Sequence, residues 1–282
     1  MLSGKPLIEI EKIGESDPVP FPGAGRPLSG IRVLDLTRIL AGPIAARTLA
    51  EHGADVLMVA AEHLPQVPEH VMDTSHGKRS CFLDLNKAGG VATIRKLVQN
   101  ADVFSQGYRP GIMEKHGLSP EQLAEVRPGI IYLSISCYGG GGPFSNRGGW
   151  EQIAQCTTGI CLDNGDARPK LLPASACDYT TGYNGACGVL LALARRAREG
   201  GSYHVRVSLC RSGMYIYQQG HVRYPEAEMG LSRAELDSIM IETKGGHGTL
   251  KHLAPVLGLS ETRPYWDKPT PVLGSSRPEW LS

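Results

Sequence analysis

The sequence predicts an α/β domain of Rossmann type, a mostly parallel sheet with helices on both faces. Three observations carry this. Short apolar runs rich in branched residues alternate with amphipathic segments along most of the chain. The first such set is IRVLDL (31–36), IAARTLAEHG (44–53) and ADVLMVA (54–60). It makes a β-α-β unit of about thirty residues, the mononucleotide-binding arrangement. Gly and Pro are also abundant, 35 and 20 of 282 residues, as many tight strand–helix turns require.

Taken in order, residues 1–27 read as a Pro-rich leader. LIEIEKI within it suits a short edge strand, and Pro18, Pro20, Pro22 and Pro27 keep the rest of the leader irregular. The Rossmann-like α/β domain spans 28–224. Its first strand runs into the turn TRILAGP, and a helix comes next with Ile44, Ala45, Leu49 and Ala50 as its apolar face and Gly53 as its stop. The turn lacks G-x-G-x-x-G and the chain has no P-loop sequence, so the unit predicts a Rossmann-like fold without predicting a nicotinamide cofactor. CFLDL (81–85) reads as a strand, 89–101 as a helix and DVFSQGY (102–108) as a strand. MEKHG and PEQLAEV read as short helices, IIYLSISCYG (130–139) as a strand and 150–160 as a helix. Beyond a helix-like run at 189–194, YHVRVSLC (203–210) is a strand and 212–222 a helix. Residues 225–282 hold one helical piece (232–239) and then become extended and Pro-rich. They read as a tail wrapping the α/β body, anchored by Trp266 and Trp280.

Composition excludes several classes. Lys plus Arg number 29 against 28 acidic residues, so nothing suggests bulk attraction to nucleic acid or membrane. No apolar run approaches a membrane span, and the N-terminus lacks a signal-peptide layout. The 7 Cys are scattered and never spaced C-x-x-C. They read as buried thiols in a reducing, cytoplasmic compartment rather than as a disulfide framework or zinc site. The 9 His form no H-x-x-x-H pair, so no metal is expected.

Open α/β sheets bind ligands outside the carboxyl ends of their strands. That rule selects the loops 39–43, 106–111 and GGGGP (139–143), and the segment ACDYTTGYNGACG around Asp178. GGGGP suits either close backbone approach to a ligand or a plain flexible turn. Lys78, Arg79, Arg109 and Lys115 are either phosphate-holding charges or ordinary solvated ones. Asp178 has two readings as well. An Asp ahead of a helix is usually an N-cap. A carboxylate among small residues, which let a large ligand approach closely, can also be a nucleophile.

With these segments in view, the chain resembles the family III CoA-transferases, the CaiB/BaiF family, which includes formyl-CoA and carnitine CoA-transferases and α-methylacyl-CoA racemases. The resemblance rests on LSGIRVLDLTRILAGPIAARTLAEHGADVLMV, GKRSCFLDL, ADVFSQGYRPGIMEKHGLSPEQLAEVRPGIIYLSISCYGGGGP and ACDYTTGYNGACGVLLALARRAREG, in that order. It implies acyl-CoA as substrate and no permanently bound cofactor. Asp178 would attack the thioester, forming a mixed anhydride and then an enzyme–CoA thioester that an acceptor carboxylic acid resolves. Leu40 and Ala41 would lie against CoA, Gly107 and Tyr108 would line its channel, and Lys115 would meet a CoA phosphate.

Two departures from the family pattern shape the expectation. The racemases carry a His where this chain has Trp150 and Glu151, and proton transfer between two faces needs a second group of suitable pKa. That favours transferase over racemase. The family's small domain is also absent or vestigial, since the chain passes almost directly from HVRYPEAEMG to LSETRPYW. The chain therefore reads as a shortened form or as one half of a two-part enzyme. Its expected partner is a second copy, interlocked in the family, or a second family subunit. The alternative to CoA transfer is a non-catalytic partner subunit that keeps the CoA-binding fold.

Overall fold

The computed structural model describes residues 2–23, 25–165, 167–222 and 230–281. The expected boundary at 224/225 lies outside them. The body is a seven-stranded sheet. Its strands are β1 (Glu9–Gly14), β2 (Arg32–Leu36), β3 (Asp55–Ala60), β4 (Lys78–Phe82), β5 (Val103–Gln106), β6 (Ile131–Ser136) and β7 (Ser202–Ser208), in the order β1-β7-β6-β5-β2-β3-β4. Strands β2 to β7 are parallel, and the leader strand β1 is an antiparallel edge on β7. Counting only the parallel strands, the order is that of the doubly wound dinucleotide-binding fold, and it reverses between β2 and β5.

Alternation along the strands sorts side chains to two cores. Val33, Val56, Val103, Leu133 and Val205 face one layer, packed by α1 (Ala41–Glu51) and α8 (Ala176–Glu199). Leu34, Leu57, Phe104 and Tyr132 face the other, packed by α3 (Ala88–Val98), α4 (Ile112–Lys115) and α5 (Pro120–Val126). A buried ion pair ties the layers at the amino ends of the strands. Arg196 of α8 reaches Asp102 Oδ1 at 2.9 Å, and Asp102 Oδ2 accepts the Arg32 N–H at 3.0 Å.

Several elements differ from expectation. The helix after β2 starts at Ala41, inside the expected turn, because Pro43 sits in its first turn where no N–H partner is needed. The strand expected at 81–85 runs instead from Lys78 to Phe82. Its charged first residues concealed it, and Lys78 proves fully buried. The helix expected over 150–160 breaks at Gly159, φ 88°, into α6 (Glu151–Thr157) and α7 (Ile160–Asp163). Helix α2 (Pro68–Thr74) was not foreseen. The last helix of the body, α9, runs from Leu209 to Gln218, starting where a strand was expected. Cys156 and Cys187 are exposed, contrary to the expectation of uniformly buried thiols.

The C-terminal region is more regular than the sequence suggested. Helix α10 (Arg233–Ile239) has Ser232 and Glu235 in a capping box. It leads into an antiparallel hairpin of β8 (Met240–Gly245) and β9 (Gly248–Leu253). His252 of β9 stacks on His76 with ring centroids 3.7 Å apart. The two tryptophans do anchor the tail. Trp266 Nε1 donates to the Arg47 carbonyl at 3.2 Å and Trp280 Nε1 to the Leu97 carbonyl at 2.9 Å.

Candidate active site

A cavity of about 210 Å³ opens at the carboxyl ends of β2, β5 and β6, where the strand order reverses. The loop after β2 and the start of α1 form one wall, from Leu36 to Gly42. Gly107, Tyr108 and Arg109, after β5, form the next. Cys137, Gly149 and Trp150 close a third side, and Asp178 lies in the cavity wall. Leu40, Ala41, Gly107, Tyr108 and Asp178, far apart in sequence, thus come together. Lys115 does not join them. It is exposed on α4, outside the cavity lining.

The loop after β2 is held rigidly from below. Thr37 donates to Asp35 Oδ1 through its N–H at 3.0 Å and through its hydroxyl at 2.5 Å. Lys78 Nζ bonds Asp35 Oδ2 at 3.0 Å and the Pro43 carbonyl at 2.9 Å. Lys78 is therefore a buried strut for this wall, not a phosphate ligand. Burial drives its ammonium pKa down, and Asp35 opposes that. Arg79 is likewise spent on Asp55, at 3.0 Å. Ile39 within the loop has φ 73°, a left-handed backbone that a β-branched residue rarely adopts. Such strain persists only where its surroundings enforce it, and it concentrates at functional sites. Gly42 is required here, since a Cβ on it would lie 2.2 Å from Thr37 Cβ.

Asp178 is the third residue of α8, not its N-cap. Ser175 precedes the helix without capping it by its side chain. The cap comes from a distant residue. Glu151 Oε1 accepts the Cys177 N–H at 3.1 Å, and Oε2 accepts the Asp178 N–H at 2.7 Å. Gln155 Nε2 donates to Oε1 at 2.6 Å and fixes the Glu151 carboxylate. The backbone N–H groups of Ala41 and Glu151, the first residues of α1 and α6, act on the Asp178 carboxylate to favour its ionised form. Three helix N-termini thus meet at one carboxylate. Asp178 is 5 % exposed, and its pKa is pushed up to about 7, by burial first and by the Glu151 charge second. The two N–H donors pull the other way and favour the ionised form.

The small residues after Asp178 serve packing rather than ligand approach. A Cβ at Gly182 would lie 2.6 Å from the Ala41 carbonyl oxygen, and one at Gly188 would lie 2.5 Å from Val205. These glycines let α8 lie close on α1 and the sheet, which brings Asp178 to the Ala41 N–H. Arg38 and Arg147 join Arg109 around the cavity, and Asp178 is the sole acidic residue among its described lining. Arg38, Arg147 and Cys137 were missed in the sequence. Arg38 could have been found from its place in the loop after β2. Cys137 stands at the carboxyl end of the strand predicted at 130–139, and Arg147 lies beyond it at a position that no motif marks.

The sequence matches CoA-transferase family III over residues 28–245. It is 38% identical over 192 residues to the acetyl-coenzyme A transferase nodX of Hypoxylon pulicicidum, covering 65% of this chain and 32% of that protein. It is 37% identical over 206 residues to the succinyl-CoA–L-malate CoA-transferase alpha subunit of Chloroflexus aurantiacus, covering 66% of this chain and 48% of that one. The chain thus spans about a third to a half of the length of these relatives. Among solved structures it resembles a CaiB/BaiF family protein from Brucella suis, with TM-score 0.64 and 27% identity over 80% of this chain and 65% of that one. No helix among the described residues is long and apolar enough to cross a membrane. The chain belongs to CoA-transferase family III.

Proposed function

We propose that the protein transfers CoA from an acyl-CoA thioester to an acceptor carboxylic acid, with Asp178 as nucleophile. The observation that carries this reading is the Asp178 carboxylate, buried in the cavity wall in the first turn of α8, with the Ala41 start of α1 lining the same cavity. A carboxylate forms an anhydride about as activated as the thioester it attacks, so acyl activation is conserved through the exchange.

In the first step an Asp178 oxygen attacks the thioester carbonyl carbon. The C–S bond breaks, leaving an aspartyl–acyl anhydride and CoA thiolate. The thiolate then attacks the aspartyl carbonyl, the C–O bond to the acyl carboxylate breaks, and the donor acid departs. Asp178 is left as a CoA thioester. The acceptor carboxylate attacks that thioester, and a second anhydride and thiolate attack deliver the new acyl-CoA and restore Asp178. The N–H groups of Ala41 and Glu151, which favour the ionised carboxylate, would also stabilise charge returning to the aspartyl oxygens.

A cavity of about 210 Å³ suits the thioester end of a CoA ester. It is below the roughly 300–1,000 Å³ usual for a drug-sized ligand, so the nucleotide would lie outside it. Arg38, Arg109 and Arg147 offer guanidinium groups to phosphates along that path, and Lys115 offers an ammonium further out. Leu40, Ala41, Gly107 and Tyr108 would touch the pantetheine. The free thiols fit a reducing, cytoplasmic setting.

Glu151 counts against a racemase reading. Its carboxylate is spent on three N–H donors, and it does not line the cavity as a second base. The named alpha and beta subunits among the relatives support assembly with a second family chain, or with a second copy, to complete the substrate site. The test is CoA exchange tracked by mass, with a panel of thioesters and acceptor acids, alone and with a family partner. Transfer abolished by Asp178→Ala supports the proposal, and unchanged transfer by that variant overturns it.

A further inference from the structure

The cavity wall carries a second reactive group that CoA transfer does not use. Cys137, just beyond β6, lines the Asp178 cavity. Cys210 lies behind it in the first turn of α9 and is 1 % exposed. Ser136 and Ser208 are paired in the parallel ladder, and the Cys210 N–H donates to the Cys137 carbonyl at 2.9 Å. The two residues therefore sit side by side, with their sulfurs 4.0 Å apart. Neighbouring strands run about 4.7–4.9 Å apart, and a disulfide spans Cα atoms roughly 4.4–6.8 Å apart. With the Cys210 N–H on the Cys137 carbonyl and the sulfurs already 4.0 Å apart, closing the pair requires the sulfurs to approach by about 2 Å, to the roughly 2.0 Å of an S–S bond.

We propose that Cys137 and Cys210 form a redox-sensitive modification site in the wall of the Asp178 cavity, closed to a disulfide by a hydroperoxide that enters through that cavity. The Cys137 thiolate attacks one peroxide oxygen, and the O–O bond breaks. The leaving oxygen takes up a proton and departs as water or an alcohol, and Cys137 becomes a sulfenic acid. The Cys210 sulfur then attacks the Cys137 sulfur, the S–O bond breaks, and hydroxide leaves as water with the Cys210 proton. Two thiols are oxidised by two electrons and one peroxide is reduced. The roles reflect placement, since Cys137 lines the cavity and Cys210, 1 % exposed, does not. The contact with Cys210 lowers the Cys137 pKa, against burial and the Asp178 and Glu151 charges. The same contact, with burial, raises that of Cys210.

The pair is coupled to the cap on α8. A Cβ at Gly149 would lie 2.5 Å from the Cys137 sulfur, so Gly149 rests against that sulfur. Gly149 leads directly to Trp150 and to Glu151, which holds the Asp178 N–H.

A different pair could respond as well. Cys156 and Cys161 have sulfurs 3.6 Å apart, and Cys156 is exposed. The test must therefore map the linkage. The full chain is treated with hydrogen peroxide, alkylated with N-ethylmaleimide and digested without reductant. The expected product joins the Cys137 and Cys210 peptides, is about 2 Da lighter than the two together, and separates on reduction. In Cys210→Ser, dimedone should label Cys137. The proposal is overturned if Cys137 and Cys210 are recovered alkylated while only Cys156 and Cys161 are joined. It is equally overturned if dimedone labels Cys210 in Cys137→Ser. Neither result bears on CoA transfer by Asp178.

Discussion

A carboxylate kept buried should weaken the fold that holds it, and Asp178→Asn measures by how much. The Asp178 pKa is about 7 in the folded chain against an ordinary value of 3.8. The unfolded chain therefore gives up this proton at lower pH than the folded chain does. Well below pH 3.8 both forms are protonated and the site costs nothing. Between about pH 4 and 7 the folded state binds more protons, so stability falls as pH rises. Above pH 7 the penalty is complete. The gap between about 7 and 3.8, at about 1.4 kcal/mol per pH unit, is about 4 kcal/mol. Asn keeps the shape, can accept one backbone N–H and carries no charge. Asp178→Asn is thus expected to stabilise the protein by about 2–4 kcal/mol at pH 8 and by little at pH 4. Denaturant unfolding of both proteins at the two pH values provides the assay. Equal stability of variant and parent at pH 8 would refute the reasoning. A variant less stable than the parent at pH 8 would show that the N–H donors outweigh burial.

Two more perturbations bear on the same site. Lys78→Met leaves the fully buried Asp35 without its partner and should cost about 3–5 kcal/mol. The companion Asp35→Asn/Lys78→Met should recover part of that loss, and a double variant no better than the single would remove the ion pair from the explanation. If Asp178 reacts as its anion, kcat/KM should rise with pH through an apparent pKa near 7. Glu151→Gln removes the charge that raises this pKa, so the rising limb should move to lower pH, whereas an unmoved limb would mean that Glu151 is not a determinant.

How far the site could be read in the sequence depended on how local its causes are. The β-α-β unit at 31–60 was legible because alternation of apolar runs is a local signal, and the rule of strand carboxyl ends then picked out both loops at the switch point. Lys78 was misread because a Lys-Arg pair ordinarily marks a surface. Only the parallel register of β4 beside β3 buries it under the loop that it supports. Asp178 as N-cap failed for a similar reason. The true cap, Glu151, is 27 residues away and reaches α8 only after both helices pack. The hairpin of β8 and β9 was lost because its strands are largely exposed and mix charged with apolar residues, so no clean alternation marks them. The stripe of glycines in α8 was visible, but what it packs against is a tertiary fact.

Everything functional here turns on whether Asp178 becomes covalently acylated. Incubation with an acyl-CoA and then with hydroxylamine converts an aspartyl anhydride or aspartyl thioester to a hydroxamate, which peptide mass mapping locates. Expected is a single modified site at Asp178, dependent on acyl-CoA and lost in Asp178→Asn. An unmodified Asp178 in a preparation that turns over acyl-CoA would contradict the nucleophile assignment.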